Sequence, residues 1–151
     1  MDEFKNELNE LLISTYRDIG RIEEKMTREK SDSQLSISEL HLIETISKDK
    51  TPKSITYIAQ EHGISLPTVT VAINKLVKKG YVEKFKDEND GRMVLVRVTK
   101  LGHKADIAHQ FFHRTMLNSI VKDMTDEERD VLLRGIRRLH EFLIKANREN
   151  E

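Results

Sequence analysis

A chain of 151 residues that is 37% apolar and 5% aromatic has material for one modest core, to which a partner chain would add. Lys+Arg and Asp+Glu both total 26, but residues 1–52 carry 8 basic and 12 acidic side chains, 53–104 carry 10 and 5, and 105–151 carry 8 and 9, so the positive charge sits in the middle third. The absence of cysteine excludes disulfides, thiolate metal sites and thiol-based oxidant sensing.

In residues 4–30, Leu8, Leu12, Thr15, Ile19, Ile22 and Met26 are spaced alternately four and three apart. This heptad seam predicts a helix of roughly seven turns, packed in part on its own domain and in part on a second subunit. The opening MDEFKNEL is acidic, and no apolar run has the length of a signal peptide core or a membrane span. A cytoplasmic protein with no membrane partner is expected. SDSQLS is a polar break. Ser36 to Glu39 has the form of a capping box, opening a second helix whose Ile37, Leu40, Ile43 and Ile46 recur every third position. The stretch 48–53, with Pro52, ends that helix, and Ser54 caps a short third one with Ile55, Ile58 and Ala59 inside.

Helix three, the turn EHGIS and a helix over 65–79 have the layout of a helix-turn-helix, in which the first helix lies at the DNA backbone and the second enters the groove. Ser65 is a good N-cap, Pro67 is tolerated in a first turn, and Lys78, Lys79 and Gly80 are a C-terminal signal. Val69, Ala72, Ile73, Leu76 and Val77 form an apolar face, leaving Thr68, Thr70, Asn74, Lys75 and Lys78 on the other. Short hydroxyls and an amide suit base edges, and lysines suit phosphates. The candidate DNA contacts are therefore Ser54, Ser65, Pro67, Thr68, Thr70, Val71, Asn74, Lys75 and Lys78.

YVEKFK and MVLVRV alternate apolar and polar residues around the turn DENDG, which predicts a two-stranded β-wing. Arg92, on the extended tip, suits a narrow, electronegative minor groove, and Asp90 is placed to hold it in position. Thr99 caps a helix running to about residue 124, with Leu101, Ala105, Ala108, Phe112, Met116 and Ile120 on one side. Thr125 to Glu128 is a second capping box, opening a last helix with Leu132, Ile136, Leu139, Leu143 and Ala146 at heptad spacing.

With Asp90, Arg92, Val96, Thr99 and Gly102 in place, residues 87–102 resemble the wing and following helix start of the MarR family of winged helix-turn-helix regulators. Within that family SISELHLIETI, TPKSITYIAQEHGISLPTVTVAINKLVKKGYVEK and the histidine-bearing helix are most similar to the FabT type, regulators of bacterial fatty-acid synthesis. The resemblance implies a mainly α fold with a small β-wing, in one domain over 1–151. Residues 36–99 would be the DNA-binding lobe, and 1–30 and 100–148 the helices of a triangular homodimer. It implies repression at a palindromic operator in double-stranded DNA, with no cofactor required. An acyl chain on acyl carrier protein would act as co-repressor, in a region that Ile43, His109, Phe111, Phe112, His113 and Met116 would suit.

His109 and His113 lie four apart with His41 available from helix two, the weak candidates for a zinc site, but a full ligand set cannot be assembled from the sequence and no metal is expected. A regulator responding to zinc or to a small aromatic ligand is the alternative within the family. Enzyme activity is not expected: there is no glycine-rich phosphate loop, nucleophile elbow or metalloprotease signature. A winged-helix protein-interaction module would share the architecture but would lack the basic and hydrogen-bonding groups of 68–78 and Arg92.

Overall fold

A computed structural model describes residues 2–29 and 35–149, without the side chains of 27–29; the break at 31–34 and the expected helix end at residue 30 lie outside the described residues. The chain forms two compact units, Met1–Gln110 and Phe111–Glu151. The elements are α1 (Glu3–Glu29), α2 (Ile37–Ser47), a 3-10 turn (Lys48–Lys50), β1 (Lys53–Ser54), α3 (Ile55–His62), α4 (Leu66–Lys78), β2 (Val82–Lys86), β3 (Val94–Val98), α5 (Lys100–Val121) and α6 (Asp126–Glu149). The architecture is mainly α with a small antiparallel wing.

Each helix starts where a side chain satisfies free N–H groups of its first turn. Ser36 and Glu39 form a reciprocal capping box, with bonds of 3.1 and 2.8 Å. Ser54 accepts from Tyr57 N–H at 3.1 Å, Ser65 from Thr68 N–H at 3.3 Å, and Thr125 from Glu128 N–H at 3.2 Å. Helix α5 begins one residue after Thr99, whose hydroxyl accepts from Gly102 N–H, and it ends at Val121, short of the expected 124.

One strand was not foreseen. Residues 53–54 pair with β3, in register Lys53 to Val96 and Ser54 to Leu95, so the sheet has three strands in the order β1-β3-β2. Two residues are too few to show a period-2 pattern, and what makes them a strand is the free edge of β3 beside them. Below the sheet, Ile43, Ile46, Ile58, Val69, Ile73 and Leu76 pack into one core with α2, α3 and α4 as its helical layer. Val77, expected on the apolar face of α4, is instead 38% exposed, because the buried stripe is the narrower set Val69, Ile73 and Leu76.

Gly80 ends α4 at φ 81°, where a side chain would be strained, with its N–H bonded to the Val77 carbonyl and that of Tyr81 to Leu76. The carbonyl of Tyr81 then meets the start of α5. A Cβ on Gly102 would lie 2.1 Å from that oxygen, so α5 can approach only where a residue has no side chain. Gly102→Ala is expected to lower the free energy of unfolding by about 1–3 kcal/mol in urea titration. Gly91→Ala, at a tip with open space around it, should change it by less than about 0.5 kcal/mol.

Candidate nucleic-acid interface

Burial of Val69, Ile73 and Leu76 fixes the rotation of α4, and the opposite face is turned to solvent. Pro67, Thr68, Val71, Asn74, Lys75 and Lys78 are all exposed there, with Val71 at 55%, an apolar surface of the kind that meets a thymine methyl. The hydroxyl of Ser65 is shared between the cap and Thr68 Oγ1 at 2.7 Å. Half-buried Thr70 donates its hydroxyl to the Leu66 carbonyl at 2.8 Å, leaving its oxygen lone pairs and methyl for a partner. Ser54 is half-buried and uses its oxygen as the α3 cap.

The wing tip is built on Asp87, whose Oδ1 accepts from the N–H groups of Asn89 at 2.7 Å and Asp90 at 3.3 Å. Asp90 does hold Arg92, but through the main chain: its Oδ1 accepts from Arg92 N–H at 3.0 Å. The guanidinium itself is exposed, and the turn positions it through the main chain. Sequence reasoning overlooked two residues of the wing. Arg97 bonds Glu83 at 2.6 Å over the Phe85 ring, and Lys84 reaches across to donate to Asn74 Oδ1. Alternation alone marks Lys84 as an ordinary strand position; only the packing of β2 on α4 brings it to the helix.

A second overlooked contact ties α2 to the end of α4. Lys79 Nζ sits 2.8 and 2.7 Å from the two carboxylate oxygens of Glu39, which is also the α2 capping-box residue. Burial alone would raise the Glu39 carboxyl, but hydrogen bonds from Lys79 and Ser36 and the Lys79 charge outweigh it and hold the pKa below its ordinary value.

His41 and His109 meet at a carboxylate of α1. His109, 1% exposed, donates from Nε2 to Glu23 Oε1 at 2.8 Å, and its Nδ1 is 3.4 Å from Glu44 Oε2. His41 Nε2 is 3.6 Å from the same Glu23 oxygen, with its ring 5.5 Å from that of His109. Glu23 had no visible signal, since an acid beside Ile22 in a long polar helix reads as solvated; the structure buries it to 3%. His113 packs edge-on against Phe112, and both are half-buried, as is Met116. Ile43, expected to wall an apolar pocket, is fully enclosed in the core, so a ligand would reach it only if that core parted. An open cleft of about 520 Å³ lies between α2 and α4, lined by Ser36, Leu42, Pro67, Val71 and Lys75 among others.

Residues 35–94 match the MarR family. Across nearly the whole chain the protein is similar to Streptococcus pneumoniae FabT, solved in complex with DNA: 32% identity, 94% of this chain and 99% of that one, and a TM-score of 0.84. The chain belongs to the MarR family. MarR regulators are non-enzymatic DNA-binding proteins that typically dimerise. A MarR protein from Peptoclostridium difficile shares the fold at 19% identity, covering 97% of this chain and 92% of that one with a TM-score of 0.74. The HTH-type transcriptional regulator YhjH of Bacillus subtilis (strain 168) is 27% identical over 84 residues, 56% of this chain. The chain spans about half the length of that relative, 47%.

The depressed carboxyl of Glu39 has a testable consequence. Its contribution to stability is full above the ordinary pKa of 4.5 and is lost as pH falls through the lower, folded-state value. Denaturant titrations across that acid range should show wild type losing stability more steeply than Glu39→Gln, with the gap between them closing at the acid end.

Proposed function

We propose that the protein is a cytoplasmic, homodimeric repressor that binds a palindromic operator through α4 and the wing, with an acyl chain carried on acyl carrier protein as co-repressor. The observation that carries the DNA-reading part is the exposed face of α4, with hydroxyls, an amide and lysines, in the same compact unit as an arginine-tipped wing. No described helix is long and apolar enough to cross a membrane. The fatty-acid role is supported by the similarity to FabT over almost the full length of both chains.

The dimer is supported by apolar side chains that their own units leave uncovered. On α1, Leu8, Leu11 and Leu12 are 43, 56 and 41% exposed; on α6, Leu132, Ile136 and Leu143 are 38, 52 and 50% exposed, and no residue of α6 is buried. Patches of this kind on a protein chain mark association surfaces. Two copies joined there would set two recognition helices roughly 34 Å apart, one duplex turn. Leu12→Glu or Leu139→Glu should convert a dimer to monomer or unfold it, as read by light scattering. A wild-type monomer at micromolar concentration would remove both the dimer and the two-half-site geometry.

A second reading, a regulator gated by zinc, is favoured by the meeting of Glu23, His109 and His41. Two imidazole nitrogens beside one buried carboxylate oxygen, at 2.8 and 3.6 Å, are donors of the kind zinc takes. Glu44 at the other nitrogen of His109 would orient the ring as a supporting carboxylate. Operator titrations at one fixed salt concentration separate the two readings. The fatty-acid reading expects long-chain acyl carrier protein to raise operator affinity by a coupling of about 1–3 kcal/mol, with chelator inert. The zinc reading expects affinity to collapse in chelator and in His109→Ala, with no response to acyl chain length.

A further inference from the structure

Helix α6 carries its charge in two blocks. Asp126, Glu127, Glu128 and Asp130 stand at its start, where carboxylates suit the helix dipole, whereas from 134 to 148 Arg134, Arg137, Arg138, Lys145 and Arg148 face the single acid Glu141. At roughly 100° per residue all five cations fall within roughly 60° of the direction opposite the seam of Leu132, Ile136, Leu139 and Leu143. Every one of them is exposed. Arg148 lies in the last turn, where the dipole favours a cation, and Lys145 is 3.8 Å from Glu149. Neither account reaches Arg134, Arg137 and Arg138, which stand at least two turns from either end of the helix. Among the described residues those three arginines form no ion pair, with Glu141 only three and four residues beyond Arg138 and Arg137. Arg134 instead has Arg137 and Arg138 one turn away, a like-charge spacing that weakens a helix.

We propose that Arg134, Arg137 and Arg138 form the docking surface for the acidic face of an acyl-loaded carrier protein. The proposal rests on the acyl-carrier reading of the co-repressor and adds to it the surface that receives the protein rather than the chain. A guanidinium fork matches a carboxylate bidentately, and acyl carrier proteins are acidic, so the two faces are complementary in charge. The repulsion within the cluster is relieved when carboxylates meet it, which favours the loaded state over the free one. A dimer joined through the seam keeps the opposite side of each α6 turned outward. A lipid surface would need the basic and the apolar faces of the helix together, and the seam assigns the apolar one to the second copy.

The test is a direct titration of full-length protein with carrier protein bearing a long acyl chain, without DNA. It compares wild type with the triple variant Arg134→Gln, Arg137→Gln, Arg138→Gln and with the triple variant Arg134→Lys, Arg137→Lys, Arg138→Lys. The glutamine variant should need roughly tenfold more carrier for half-saturation, while the lysine variant keeps most of the affinity. Light scattering and operator titration without carrier should give wild-type behaviour for both. Wild-type carrier binding should weaken as salt rises, and binding insensitive to salt would overturn the proposal whatever the variants do. Equal carrier binding by wild type and the glutamine variant would overturn it and leave the co-repressor reading standing. Weaker operator binding by a dimeric glutamine variant in the absence of carrier would make the cluster a DNA contact. Capture of wild type but not that variant by phosphatidylglycerol vesicles, in place of carrier binding, would make it a lipid contact, and either result overturns the proposal. A wild type that ignores the loaded carrier would overturn the proposal and the co-repressor reading together.

Discussion

The junction of α4 with the wing depends on how the chain turns at Tyr81. Its N–H closes α4 by bonding the Leu76 carbonyl, its side chain is 2% exposed, and its own carbonyl accepts from both the N–H and the hydroxyl of Thr99, at 3.0 and 3.1 Å. One residue thus ends α4, leads into the wing strand β2 and receives the strand-to-helix junction that returns from β3. Because Gly102 leaves no Cβ against the same oxygen, α5 starts in direct contact with the end of α4 and the start of the wing. Interiors packed to this density do not deform continuously, so a displacement of α5 at this junction would be passed to α4 and β2 rather than absorbed.

Helix α2 is the other element through which separate parts of the unit meet. Its N-terminal Glu39 holds Lys79 just after α4, while two and five residues on, His41 and Glu44 stand beside Glu23 and His109. Both clusters bury an ionisable group, and a buried pair is costly to break because the remaining partner is left in a low-dielectric site. Their value here is geometric. Glu39 accepts from Ser36 N–H and from Lys79 at once, so the start of α2 and the end of α4 share one carboxylate. Any ligand that rearranges the histidine cluster acts on a helix whose first turn is bonded to the residue just after α4, the kind of shared element that linkage between sites requires.

Most of the architecture follows from local rules. Capping residues Ser36, Ser54, Ser65 and Thr125 each have a hydroxyl that meets an N–H three residues on, a relation set by helix geometry alone, so helix starts could be read directly from the chain. The wing was legible for the same reason: alternation over β2 and β3 and an Asp-rich turn between them are short-range properties. The core face of α4 was legible at three positions and failed at Val77, because periodicity gives the direction of a stripe but not its width.

What only the tertiary structure decided are the contacts made across large sequence separations. Glu23 with His109, Glu39 with Lys79, and Lys84 with Asn74 pair residues that look like ordinary surface charges and polar groups in the chain, since nothing in a helix or strand period distinguishes a carboxylate bound for the interior. Strand β1 belongs to the same class: two residues have no pattern of their own, and Lys53 and Ser54 become a strand because β3 offers an unpaired edge. By itself the sequence determined where helices begin, where the wing turns and which face of α4 meets solvent, because those depend on neighbours within a few residues. Which side chain meets Asn74, and which acid lies against His109, depended on elements that meet only when the core closes.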